Sequence, residues 1–157
     1  MRYSKPDEWV LDQFVGSGTT LVEAKLLGRN AIGIDVNESS VLICKDNLNF
    51  DCDVNSKVFV KCGDARKLNC LKDECIDLIC THPPYADIIK YSIDNKDDIS
   101  LLDSNKLIVE MKKIAQESYR ILKKGKVMCY NDGRHPKGWK YYTIGIQNNG
   151  MLFKCWI

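Results

Sequence analysis

The chain has 157 residues, of which 45% are hydrophobic and 28% charged, with a formal net charge of +2. That is an ordinary globular balance with enough chain for one core, so we expect a single domain over residues 1–157. No apolar run approaches the ~20 residues that span a bilayer, and Met1-Arg2-Tyr3-Ser4-Lys5-Pro6 lacks the apolar stretch of a signal peptide. Together these point away from a membrane and predict a soluble, cytoplasmic protein.

In chain order, Trp9 to Phe14 reads as a first strand, closed by the glycine turn Gly16-Ser17-Gly18. Thr20 to Leu27 follows as a short helix stopped by Gly28. Asn30 to Val36 is a second strand ending near Asp35, and Asn37 or Ser39 can cap a helix running to about Leu48. Lys57 to Cys62 alternates as a third strand and ends at Gly63-Asp64. Cys75 to Cys80 is nearly all apolar, as a strand buried on both faces would be. It runs into Thr81-His82-Pro83-Pro84-Tyr85.

Residues 86–102 read as a long polar loop, a length usually kept for function. Asp103 or Ser104 starts the longest helix, with Leu107, Met111, Ile114, Ala115 and Leu122 on one face and Gly125 as its stop. Lys126 to Tyr130 is a fifth strand, and Met151 to Ile157 a further candidate. Strands alternating with helices predict an α/β fold: a mostly parallel sheet with helices on both faces. Such sheets bind ligands beyond the C-terminal ends of their strands. The glycine turn, Asp35, Asp64, His82 to Tyr85, and Asn131 with Asp132 all fall there.

Two features have competing readings. Charge is uneven: Asp46 to Asp103 holds twelve acidic and seven basic residues, Asn105 to Lys140 ten basic and three acidic. The second stretch is either a solvated helix face or a surface for phosphates. The eight cysteines form no Cys-x-x-Cys pair. Core thiols account for them best; Cys70, Cys75, Cys80 and His82 are the one conceivable zinc set, but their spacing is not that of structural zinc, so no metal is expected.

Gly16 and Gly18 let the backbone turn sharply and approach a ligand. The turn lacks the third glycine of the dinucleotide signature and the Gly-Lys of a phosphate loop. Asp35, seventeen residues after Gly18, can accept both hydroxyls of a ribose, and Asp64 can accept a base amino group. This combination suits a nucleoside without phosphates.

Val10-Leu11-Asp12-Gln13-Phe14-Val15-Gly16-Ser17-Gly18-Thr19-Thr20, with its Leu-Val-Glu-Ala continuation, resembles the cofactor motif of the amino-group DNA methyltransferases. Thr81-His82-Pro83-Pro84-Tyr85 resembles their catalytic (Asp/Asn/Ser)-Pro-Pro-aromatic motif. The resemblance implies a Rossmann-like fold, S-adenosylmethionine as cofactor, and methylation of adenine N6 or cytosine N4 in DNA. RNA, with guanine N2 chemistry, is the alternative substrate; a non-catalytic binding remnant is a third reading. By carry-over, Phe14, Gly16, Ser17, Gly18 and Thr19 hold the methionine end, which Asp12 adjoins unless it orders the loop instead. Asp35 takes the ribose, and Asp64 with Ala65 the adenine.

In the catalytic motif, Pro83 offers its carbonyl and Tyr85 a stacking ring, beside Pro84. The leading position is His82 rather than an Asp, Asn or Ser; a neutral imidazole accepts a hydrogen bond from an amine, a protonated one does not. Lys90, Tyr91, Ser92 and Arg134 are candidates for the nucleic-acid backbone.

Only eleven residues precede Asp12 and 24 remain from Arg134 onward. Compared with the family the chain looks shortened at both ends. We therefore expect the seven-stranded sheet of the family to lack a terminal strand and no separate target-recognition domain to be present. A minimal enzyme, one part of a split enzyme, or a truncated product would each look this way. An exposed sheet edge would favour a homodimer or a complementary chain.

Overall fold

The computed structural model describes residues 3–84, 98–130, 140–147 and 150–156, the last two segments as backbone only. Seven strands form one sheet: β1 (Trp9–Asp12), β2 (Asn30–Asp35), β3 (Val58–Cys62), β4 (Ile76–Thr81), β5 (Leu122–Tyr130), β6 (Lys140–Gln147) and β7 (Gly150–Trp156). Their order is β3-β2-β1-β4-β5-β6-β7. The first five pair in parallel, while β6 runs antiparallel to β5 and β7 to β6. The Rossmann-like reading therefore holds, but the expected gap in the sheet is not there. After β5 the chain makes an antiparallel hairpin, and antiparallel neighbours need no crossover helix.

Helices α1 (Thr19–Leu26) and α2 (Glu38–Asn47) cover one face, and α3 (Ser104–Ile121) the other. Leu21 and Ala24 of α1 and Cys44 of α2 pack on Val10, Ala31 and Leu78. Leu11, Ile34 and Ile79 point the opposite way, onto Ile121 at the end of α3. This is the period-two alternation of a strand, read out on both faces. β4 is buried along nearly its whole length, as its apolar run predicts.

Side-chain caps start two of the helices. Asn37 accepts from the Ser39 N–H at 2.9 Å and Asp103 from the Lys106 N–H at 3.0 Å. One boundary differs from expectation. The long helix stops at Ile121, and Leu122 already belongs to β5. Leu122 lies in the core cluster opposite Ile76, and the pairing then jumps to Leu78 opposite Val127. Gly125, with a φ of +75°, sits in that bulge rather than ending a helix.

The charge asymmetry resolves into internal pairing. Lys123 and Lys126 both reach Asp77 at the start of β4, and Lys126 also meets Glu8. Arg120 pairs with Asp73 and Glu117, and Lys124 with Glu74. These basic and acidic side chains neutralise each other at the N-terminal end of the sheet, away from the ligand-binding end. These residues do not form the phosphate surface that was one of the two readings.

Among the described cysteines all are free thiols; Cys44 and Cys129 are buried, Cys52, Cys75 and Cys80 half-buried, Cys62 and Cys70 exposed. Cys75 and His82 flank β4, whose length keeps them roughly 20 Å apart, so that zinc set cannot assemble. No described helix is long and apolar enough to cross a membrane.

Candidate functional site

A cavity of about 650 Å³ opens at the C-terminal ends of β1, β2, β3 and β4. Its walls include Phe14, Gly16, Ser17 and Thr19 from the first turn, Asp35 after β2, Asp64 and Ala65 after β3, and His82 and Pro84 after β4. The convergence expected of an open parallel sheet is thus realised in one space.

The glycine turn is held from three sides. Asp35 Oδ2 accepts from the Gly16 N–H at 2.9 Å, while its Oδ1 accepts from the Asn37 N–H at 2.9 Å. The Val15 N–H donates to the Ile34 carbonyl at 3.0 Å, and Asn47 Nδ2 to the Ser17 carbonyl at 2.9 Å. Gly18, at φ +91°, is the N-cap of α1. A Cβ there would lie 2.5 Å from the Cys44 Sγ. Asp35 thereby grips the turn, yet each of its oxygens keeps a second lone pair.

Asp12 faces inward and is almost fully buried. Its Oδ1 accepts from the Phe14 N–H at 3.1 Å and from the Thr81 hydroxyl at 2.9 Å. Burial pushes its carboxyl up, while Thr20, the Phe14 N–H and Thr81 pull it partly back. Its geometry is that of a residue ordering the loop, one of the two places expected for it.

Thr81 and Gln13 are the residues to which the sequence assigned no role. The Thr81 hydroxyl accepts from the Gln13 N–H at 3.3 Å, so the ends of β1 and β4 are joined just beneath the Pro-Pro corner. The Gln13 side chain is buried, with Oε1 3.0 Å from the Ser118 Oγ of α3. Ser118 also lies 2.8 Å from the Ile114 carbonyl, and its single proton serves one acceptor at a time. Only their position at two strand ends signals them in the sequence.

His82 is exposed and lines the cavity with Pro84, whereas Pro83 is buried and is not among the lining residues. Tyr85, Lys90, Tyr91, Ser92 and Arg134 lie outside the described residues, as do Asn131 and Asp132. Ile99 and Ile114 supply an apolar wall with Ala65, backed by Phe14.

The lining has one electrostatic character. Asp12, Glu23, Asp35, Asp64 and Asp98 are there, and no lysine or arginine is found among the described lining residues. Phosphates bind where N–H groups and cationic side chains gather. This cavity instead fits a hydroxyl- and amine-bearing nucleoside with a positive charge, the chemistry of S-adenosylmethionine.

Comparison with known proteins agrees. A family model described as DNA methylase matches residues 1–46. The type II methyltransferase M2.LlaDCHI of Lactococcus lactis subsp. cremoris is 52% identical over 46 residues, 29% of this chain and 17% of that protein. The tRNA (guanine(10)-N2)-dimethyltransferase of Pyrococcus abyssi is 40% identical over 78 residues, 49% of this chain and 23% of that protein. The matches thus span less than a quarter of the length of these relatives. In fold, the chain is similar to a SAM-dependent methyltransferase of Methanosarcina mazei, with a TM-score of 0.62 at 21% identity, over 82% of this chain and 54% of that one. The N-terminal segment of the chain is thus similar to DNA methylases, and its fold is similar to that of SAM-dependent methyltransferases.

Proposed function

We propose that this chain is a single methyltransferase domain that binds S-adenosylmethionine in the 650 Å³ cavity and methylates an exocyclic amine of a nucleobase, adenine N6 or cytosine N4 in DNA. The observation that carries this reading is the joining of the glycine turn to the Pro-Pro corner around one acid-lined cavity. Two motifs far apart in sequence meet through the Thr81–Asp12 hydrogen bond.

In this reading Asp35 uses its remaining lone pairs on the ribose hydroxyls. Asp64 accepts from the adenine amino group, against the apolar wall of Ala65. Phe14, Gly16, Ser17, Gly18 and Thr19 shape the methionine end, with Asp12 ordering that loop from below. When bound, the cofactor would supply an electrophilic methyl on its sulfonium for transfer to the amine nitrogen.

The chain's part is to prepare that amine. Its lone pair is delocalised into the ring, and acceptors on its two protons draw the nitrogen towards a tetrahedral geometry. The His82 imidazole is one acceptor and the Pro83 carbonyl the other, with Pro84 shaping the corner. The proton lost on methylation leaves towards His82. A base in a duplex must be extruded to reach the corner, where Tyr85 stacks on it. Lys90, Tyr91, Ser92 and Arg134 are proposed to meet the nucleic-acid backbone.

One observation favours RNA as substrate instead. The match to the tRNA guanine-N2 enzyme of Pyrococcus abyssi runs over 78 residues, against 46 for the type II enzyme. A second copy or a complementary chain can supply further contacts to either nucleic acid. Methyl transfer from tritium-labelled cofactor to DNA and to tRNA, run side by side, tests the substrate. Calorimetric titration with the cofactor tests the site itself. Binding with transfer to neither would leave a cofactor-binding remnant, and no binding would remove the catalytic reading.

A further inference from the structure

Asp64 is not left to find its own orientation. The Arg66 N–H donates to Asp64 Oδ1 at 2.8 Å, closing a tight side-chain turn. Arg66 Nε lies 2.8 Å from Oδ1 and 2.9 Å from Oδ2 of the same carboxylate. From the far end of the guanidinium, Nη1 donates to Glu110 Oε2 on α3 at 2.8 Å. Glu110 is held in turn by Lys113, whose Nζ lies 2.7 Å from Oε1.

These groups are largely withdrawn from water, with side-chain exposures of 16% for Arg66, 23% for Asp64 and 15% for Glu110. Ion pairs at this depth are screened less than those on the surface. They also stand on two sides of one wall. Asp64 lines the large cavity; Arg66 and Glu110 line a smaller one of about 250 Å³ behind it. Asp98 and Ile99 border both.

We propose that Arg66, anchored by Glu110, is a positioning residue that aims the Asp64 carboxylate at the amino group of the bound nucleoside. This rests on the cofactor reading above. Oδ1 accepts the Arg66 backbone N–H and shares the Arg66 Nε–H with Oδ2, so Oδ2 retains the capacity for a further donor. An unclamped aspartate would lose side-chain freedom on binding; the clamp removes that freedom beforehand. The planar guanidinium contacts both carboxylates at once, which a lysine ammonium cannot reproduce.

The test is calorimetry with two ligands: S-adenosylhomocysteine, and S-inosylhomocysteine, in which a keto group replaces the amino group. The wild-type chain is expected to favour the amino ligand by about 10-fold or more. In Arg66→Met and in the milder Glu110→Gln, each checked for folding by thermal melting, the preference should fall to within about threefold. Arg66→Lys should lie between. A preference unchanged in a folded Arg66→Met overturns the clamp and leaves the cofactor reading standing. If that variant does not fold, an unchanged preference in Glu110→Gln decides the same way. Failure of the wild-type chain to bind S-adenosylhomocysteine overturns the cofactor reading, and the clamp with it.

Discussion

The Thr81 hydroxyl donates to Asp12 Oδ1 across 2.9 Å, binding the last residue of β4 to the last residue of β1. Both side chains are buried. The residue after Thr81 opens the Pro-Pro corner, and the second residue after Asp12 donates its N–H to the Asp12 carboxylate. With the Gln13 N–H bond to Thr81 and the parallel pairing of β1 with β4, the Thr81–Asp12 bond ties together the two halves of the proposed site.

Thr81→Val keeps the shape of the side chain and removes that bond. Asp12, a buried carboxylate, loses a donor, so stability should fall by about 1–3 kcal/mol. Urea unfolding measures this. Cofactor affinity should fall as well, since the Gln13 N–H loses its acceptor and the loop loosens. An unchanged midpoint in Thr81→Val would show that this bond carries no weight.

Asp12 also predicts a pH dependence of known sign. Burial raises its folded pKa above the ordinary aspartate value. A raised carboxyl contributes stability that is present below the unfolded pKa and is lost as pH rises through the folded one. Asp12→Asn removes that loss. The stability of the variant relative to wild type should therefore climb from acid towards neutral pH. A flat difference across that range contradicts the burial argument.

Asp77, at the opposite end of the sheet, behaves in the reverse sense. Burial pushes its carboxyl up, but Lys123, the Trp9 N–H at 3.0 Å and Lys126 more than offset this, and the net direction is down. Its stabilisation is present above the ordinary aspartate value and lost as pH falls through the depressed one. Asp77→Asn should cost about 1.5–3 kcal/mol at neutral pH, and the cost should shrink in acid. Cofactor binding should survive in the folded variant, because Asp77 does not line the cavity. Loss of binding without loss of fold would contradict that separation.

What the sequence discloses here follows from how local each signal is. The glycine turn, the first four strands and the Asn37 and Asp103 caps are written in neighbouring residues, and they appear where expected. The site's outline was legible for the same reason, since strand ends converge in a parallel sheet. The end of α3 was not. Leu122 continues the helical apolar pattern, and only its packing against the sheet opposite Ile76 makes it a strand residue. The β6–β7 pairing and the Arg66–Glu110 contact were hidden, although β7 itself falls on the Met151–Ile157 candidate. Both are pairings between segments whose own composition does not announce them.

The two glycines of the turn should respond differently to alanine. Gly16 has a φ of +49° and nothing within 4 Å of an added Cβ. Gly16→Ala should therefore cost only backbone strain, about 1–2 kcal/mol. Gly18 has a φ of +91°, and an added Cβ would meet the buried Cys44 Sγ at 2.5 Å. Gly18→Ala should cost more and displace α2 against the turn. Equal melting temperatures for the two variants would sink this distinction; Gly18→Ala combined with Cys44→Ala should recover part of the loss.

His82 makes the sharpest demand on the proposed chemistry. It sits exposed at the cavity edge, in the position where the related motif carries Asp, Asn or Ser. If its imidazole accepts a proton of the reacting amine, an asparagine carbonyl can take its place, and His82→Asn should keep measurable methyl transfer. His82→Ala removes the acceptor. It should lower turnover by about 10²-fold or more, with cofactor affinity close to wild type because the glycine turn and the two carboxylates are untouched. Turnover by His82→Ala equal to wild type would remove the histidine from the reaction and leave the Pro83 carbonyl as the proposed acceptor at this corner.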